Sequence, residues 1–86
     1  MTNIMKRRGK FIVNYDLVIK KPKQMMKVLS DVLVVRAEND FVNNQITYSG
    51  FSESFDEVDS NREAPLYQTE ITEHPDRTIT VDWKRL

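Results

Sequence analysis

Residues 11–19, FIVNYDLVI, limit the fold more than any other part of the chain. Phe11, Val13, Tyr15, Leu17 and Ile19 recur at the period of two that an extended backbone imposes, so they share one face of a strand. The other face carries Ile12, Asn14, Asp16 and Val18 and is half apolar as well. The remaining strand-like runs are apolar on one face only. A strand wanted on both sides sits inside a sheet, with neighbours left and right. Residues 11–19 are therefore expected as a central strand that stops at Lys20-Lys21-Pro22, where proline ends pairing and can open a helix.

From Lys23 the apolar positions are Met25, Met26, Val28, Leu29, Val32 and Leu33, whose spacings of three and four draw one stripe on a helix. Leu33-Val34-Val35 is rich in β-branched residues, which suit strands. The helix is expected to end between residues 31 and 33, with a second strand to about Glu38; one helix continuing to Asn39 is the alternative. Turn formers at Asn39-Asp40 and Asn43-Asn44 make a hairpin through residues 39–44, leading into a strand over 45–51 with Ile46 and Tyr48 inward.

Residues 52–64 are polar and acidic, a surface loop that Phe55 and Val58 would anchor; Ser54-Phe55-Asp56-Glu57 has the form of a capping box for a single helical turn. Tyr67, Thr69 and Ile71, then Ile79, Val81 and Trp83, alternate on either side of a Pro-Asp turn, which makes a hairpin. Placing Ile71 opposite Ile79 and Tyr67 opposite Trp83 keeps all four on the core face and leaves His74-Pro75-Asp76 as a three-residue loop.

The fold class that follows is a small two-layer α+β domain: a four- to five-stranded, mainly antiparallel sheet with one helix on one face, in the order β-α-β-β-β-β. Its core is expected to contain Val13, Tyr15, Leu17, Ile19, Met25, Leu29, Val32, Ile46, Tyr48, Ile71, Ile79 and Val81. Residues 1–10 read as a basic flexible arm and residues 11–86 as one domain, since 86 residues leave room for a single core.

Composition removes most chemistry. The chain has no cysteine, so disulfides, thiolate metal sites and cysteine nucleophiles are all absent, in keeping with a reducing, cytoplasmic setting. The basic start is followed by an alternating run, unlike a signal peptide. The apolar stretches fall far short of the roughly 20 residues that span a bilayer. Gly9 and Gly50 are the only glycines and His74 the only histidine, which rules out a P-loop, a dinucleotide fingerprint and a two-histidine zinc site.

Pro75-Asp76 followed by Asp82-Trp83-Lys84 resembles the paired-acid signature of metal-dependent nucleases. Both acids would lie along one strand, however, roughly 20 Å apart at about 3.3 Å per residue, whereas ligands of one Mg²⁺ converge to about 2.1 Å. No enzyme, cofactor or metal is expected.

Charge carries the remaining information. Net charge is zero, but residues 1–36 hold nine Lys/Arg against two Asp, and residues 37–86 hold four Lys/Arg against eleven Asp/Glu. Such asymmetry points either to an acidic or nucleic-acid partner or to two halves that compensate by packing together. Two function classes follow. One is a non-catalytic protein-binding module of the regulator or inhibitor type, a monomer or weak homodimer, with Glu53, Asp56, Glu57 and Asp59 of the acidic loop as its working surface. In size and composition the chain resembles small regulators encoded by phages and other mobile elements, although no motif ties it to a named family. The other is a nucleic-acid-binding protein using Lys20, Lys21, Lys23 and Lys27 at the strand–helix junction. Those lysines and the basic residues 6–10 enter opposite ends of the central strand and do not make one patch.

Overall fold

The computed structural model describes residues 6–59 and 61–86. Seven elements follow one another: β1 (Arg8–Asn14), α1 (Tyr15–Lys20), α2 (Pro22–Ser30), β2 (Leu33–Asp40), β3 (Gln45–Phe51), β4 (Leu66–Glu73) and β5 (Ile79–Arg85). The strands form one five-stranded sheet in the order β2-β3-β1-β4-β5, so β1 is central. The sheet is mixed, because β1 runs antiparallel to β3 and parallel to β4. The helices cross from β1 to β2, and β3 then inserts between those two strands. The fold is a small α+β domain with two short helices where one was expected.

The second helix comes from a shorter central strand. β1 ends at Asn14, and residues 15–20 turn into α1. The cause is local and polar. Asn14 Oδ1 accepts a hydrogen bond from the Asp16 amide at 2.8 Å, capping the new helix. The Tyr15 amide meanwhile donates to the Asn44 carbonyl at 3.0 Å, just past the last rung of the β1–β3 ladder. Asp16 in the first turn and Lys20 in the last both suit the helix dipole. Leu17 and Val18 still pack against the core from this helix, but Ile19 is 73% exposed and leaves the expected core set.

α2 opens with Pro22 in its first turn and buries Met25 and Val28 one turn apart. The chain enters β2 at Leu33, so the strand reading of residues 33–39 holds and the continuous-helix alternative does not. Arg8, Gly9 and Lys10 belong to β1, and not to an arm; residues 1–5 of that expected arm lie outside the described residues.

The buried core comprises Phe11, Val13, Met25, Val28, Val32, Phe55 and Tyr67. Its centre is aromatic. Phe11 stacks on Tyr48 at 5.2 Å between ring centroids and meets the edge of Trp83 at 5.0 Å. Phe55, reaching in from the loop after β3, stacks on Tyr67 at 4.5 Å and also meets Trp83 edge-on at 5.1 Å. Gly9 lies beneath this group: a Cβ there would stand 2.8 Å from the Phe55 ring and 2.9 Å from Tyr67. Gly50 has a parallel reason, since a Cβ built there would overlap the Leu33 carbonyl oxygen.

The β4–β5 hairpin forms with a register two residues from the expected one. Tyr67 faces Arg85, Thr69 faces Trp83 and Ile71 faces Val81. A shift by two preserves which side chains point to the core, so the face assignment stands while the Tyr67–Trp83 pairing does not. The loop is again three residues, but it is Pro75-Asp76-Arg77. The Arg77 amide donates to the His74 carbonyl at 2.9 Å, and Arg77 itself is left-handed, with φ 70°. This is a type I turn followed by a left-handed residue, a common three-residue hairpin connection. Asp76 Oδ1 fixes it by accepting from the Thr78 amide at 3.0 Å and the Thr78 hydroxyl at 2.6 Å. Phe55 then sits against both Tyr67 and Trp83, which are diagonal neighbours.

Candidate functional site

The two charged clusters lie at opposite ends of the sheet. The acidic segment after β3 folds back over the N-terminal end of β1: Ser52 N donates to the Arg7 carbonyl at 3.1 Å, and Val58 N donates to the Lys6 carbonyl at 2.8 Å. No helical turn forms over residues 54–57. Ser52 Oγ accepts from the Ser54 amide at 3.1 Å instead, a local turn that competes with helix initiation. Phe55 is fully buried, as an anchor should be, and Val58 is half-buried.

Arginines lace this segment. Asp56 pairs with Arg85 at 3.0 Å, Glu57 with Arg7 at 3.9 Å and Asp59 with Arg62 at 3.9 Å. Arg7 also donates to the Phe55 carbonyl at 2.8 Å, while Arg8 donates to the carbonyls of Asp59 and Arg62, each at 2.6 Å. Of the four acidic candidates, only Glu53 has no ion pair among the described residues. The pairs are exposed and individually weak. Their effect is to place a positive charge beside each of three negative ones, which leaves little net field for a partner to read.

At the C-terminal end of β1 the arrangement is the reverse. Lys20 and Lys21 close α1, and Lys23 and Lys27 stand one turn apart on α2. The β4–β5 loop comes up beside them. A recess of about 310 Å³ is lined by Lys20, Lys21, Lys23 and Arg77, with Pro22, Gln24, Glu73 and Ile79. A shallower one beside it is bounded by Lys23, Lys27 and Arg77 with Met26 and Ile79. Arg77 therefore joins the lysine cluster from the other, acidic half of the sequence. None of these five cations is in an ion pair among the described residues. The one carboxylate lining the recess, Glu73, accepts a hydrogen bond from Gln24 Nε2 at 3.3 Å. Sequence reasoning found the four lysines and missed Arg77, whose place depends on the turn geometry around Asp76.

The same end carries an exposed aromatic feature. Phe41, at the tip of the β2–β3 hairpin, is 81% exposed and lies nearly parallel to Tyr15, the first residue of α1, with centroids 6.2 Å apart. The Tyr15 hydroxyl donates to Asn39 Oδ1. The hairpin tip is fixed by Asp40, whose carboxylate accepts from the Asn43 amide at 3.2 Å and from Asn43 Nδ2 at 2.7 Å. Those two bonds, the side-chain one first, hold the Asp40 carboxyl below its usual range.

Among the described residues no three His, Cys, Asp or Glu side chains converge as metal ligands would. Asp76 is the internal acceptor of its own turn, and the bonds from Thr78, hydroxyl first, keep its carboxyl below the usual range. His74 is exposed, with Nε2 at 2.7 Å from the Thr80 hydroxyl. Among the described residues no helix is long and apolar enough to cross a membrane.

No protein-family model, curated protein or solved structure matches this chain.

Proposed function

We propose that this protein is a non-catalytic binding module that grips the phosphate backbone of a nucleic acid through Lys20, Lys21, Lys23, Lys27 and Arg77. The observation that carries the reading is the convergence of these five cations on two adjoining recesses, with none of them in an ion pair among the described residues. Cations left unpaired on one end of a molecule of zero net charge concentrate a positive field there, and a field of that kind steers polyanions. Lysine is a mobile point charge and arginine a forked donor, so together they follow a flexible phosphate chain well.

The protein-partner reading through Glu53, Asp56, Glu57 and Asp59 has less support, because arginines of the same chain already stand beside three of those four groups. An acidic protein surface docking on the lysines is the competing use of the same cations.

Titrating labelled single-stranded and duplex oligonucleotides at several salt concentrations tests the proposal. Counterion release predicts a log–log slope near −0.7 per phosphate contact on a single strand and about −0.9 on duplex. Five contacts would then give a slope of roughly −3.5 on a single strand. Absence of binding to either form at low salt would overturn the reading, and an acidic protein recovered with the native chain would assign the cations to that partner instead.

A further inference from the structure

Phosphate contacts hold a strand without distinguishing single from double; that choice needs a surface that reaches the bases. Three elements meet at the lysine end of the sheet: the β2–β3 hairpin tip, α1 and the β4–β5 loop. Asn14 pairs with Gln45 as the last rung before the first of these, and β4 runs parallel to β1 towards the third. α1 links the aromatic feature to the basic one. It starts at Tyr15, against Phe41, and ends at Lys20, on the recess. Six residues at about 1.5 Å rise each cover roughly 9 Å, and nucleotides in a stacked strand advance about 3.4 Å each. A strand whose phosphates lie on Lys20 and Lys21 therefore brings a base to Phe41 within a few nucleotides.

From this juxtaposition, and resting on the phosphate-binding reading above, we infer that the protein selects single strands, with Phe41 as the platform on which an unpaired base stacks. One side of the Phe41 ring lies on Tyr15, and the residue is 81% exposed, so the other side is open to a ligand. The platform is held ready. Tyr15 is tied through its hydroxyl to Asn39 and through its amide to Asn44, and Asp40 locks the hairpin tip through Asn43. Val42, next to Phe41 in the chain and 94% exposed, adds apolar surface at the tip. An aromatic face beside a cationic track is the pairing that binds single strands with little sequence preference. Bases within a duplex are already stacked and paired, and cannot use it.

The test compares a labelled oligothymidylate with a duplex of the same length, for wild type, Phe41→Ala, Phe41→Trp and Lys23→Glu. Phe41→Ala is expected to weaken single-strand binding by about fivefold or more, the effect of losing one stacked base, without changing duplex binding or the salt slope. Phe41→Trp should retain affinity and show fluorescence quenching when the single strand binds. Trp83, half-buried against the core aromatics, reports in Phe41→Ala that the fold is unchanged.

Equal single-strand affinity in Phe41→Ala, with Lys23→Glu impaired on both forms, would overturn the stacking inference and leave the phosphate reading standing. Unimpaired Lys23→Glu would remove both. A Phe41→Ala loss shared equally by duplex would make the tip a general contact, against the inference. Phe41-dependent sedimentation with vesicles of anionic lipid, and no Phe41 effect on oligonucleotides, would assign the tip to a lipid surface and also overturn it.

Discussion

At the N-terminal end of β1, three of the five carboxylates of residues 52–65 are paired with Arg7, Arg62 and Arg85, while Arg8 donates to two backbone carbonyls of the same segment. At its C-terminal end, four lysines and Arg77 line recesses that contain one carboxylate, Glu73. In the sequence the two clusters look alike, each a dense run of one sign. Folding separates them, because the long-range contacts of the acidic segment bring arginines from both chain ends to it, whereas the lysines meet another cation. Charge density marks where charge is; tertiary pairing decides whether a partner can feel it.

Four perturbations bear on this contrast. The largest concerns what holds the acidic segment down. Phe55→Ala removes a fully buried ring that contacts Tyr67 and Trp83, and should cost about 3–5 kcal/mol, seen as a lower urea midpoint. Against a typical total of about 5–15 kcal/mol the protein would be barely folded. A midpoint left where it was would mean that the arginines, and not Phe55, seat the segment.

Gly9→Ala attacks the same anchor from below. Its Cβ would stand 2.8 Å from Phe55, so the ring must shift, at a cost of about 1–3 kcal/mol. Full thermal stability in this variant would show that the ring has room to move. Neutralising one arginine partner is expected to matter far less. Asp56→Asn breaks the 3.0 Å pair with Arg85, whose side chains are about half exposed, and should change stability by at most about 1 kcal/mol. A larger loss would make the ion pairs structural in their own right.

The smallest effect is a pH dependence at the lysine end. Asp40 and Asp76 order the two loops there, and both carboxyls lie below the ordinary value of 3.8 in the folded chain. A depressed folded pKa contributes stability that is present above the unfolded value and is lost as pH falls through the folded one. Acid should therefore loosen the hairpin tips before the core, followed by amide exchange at Asn43 and Thr78. Asp76→Asn, which keeps the Oδ1 acceptor, should remove the acid dependence at Thr78 alone.

Much of this architecture was legible in the sequence. The central place of the strand beginning near Phe11, the stripe through Met25 and Val28, both hairpins and the anchoring role of Phe55 follow from periodicity and turn chemistry. The failures have physical causes. Val18 and Ile19 favour a strand, yet Asn14 caps a helix; a cap inside an alternating run looks like an ordinary outward residue. The β4–β5 register was out by two because apolar alternation has a period of two and cannot distinguish registers of equal parity. The Asp76–Thr78 bonds and the left-handed Arg77 decided it. For the same reason Arg77 was absent from the candidate cations: its position beside Lys23 is a property of that turn.

Affinity for a single-stranded oligonucleotide across a salt series, in two charge variants, tests the contrast most directly. Lys20→Glu with Lys23→Glu changes exposed positions and should leave stability within about 0.5 kcal/mol. Its binding should fall sharply, and its log–log salt slope should flatten by at least about 1.4, the share of two lost phosphate contacts. Asp56→Asn, Glu57→Gln and Asp59→Asn together should bind like wild type, with the same slope. Binding that survives in the lysine variant and collapses in the acidic-segment variant would contradict the account and make the arginine-laced end the working surface.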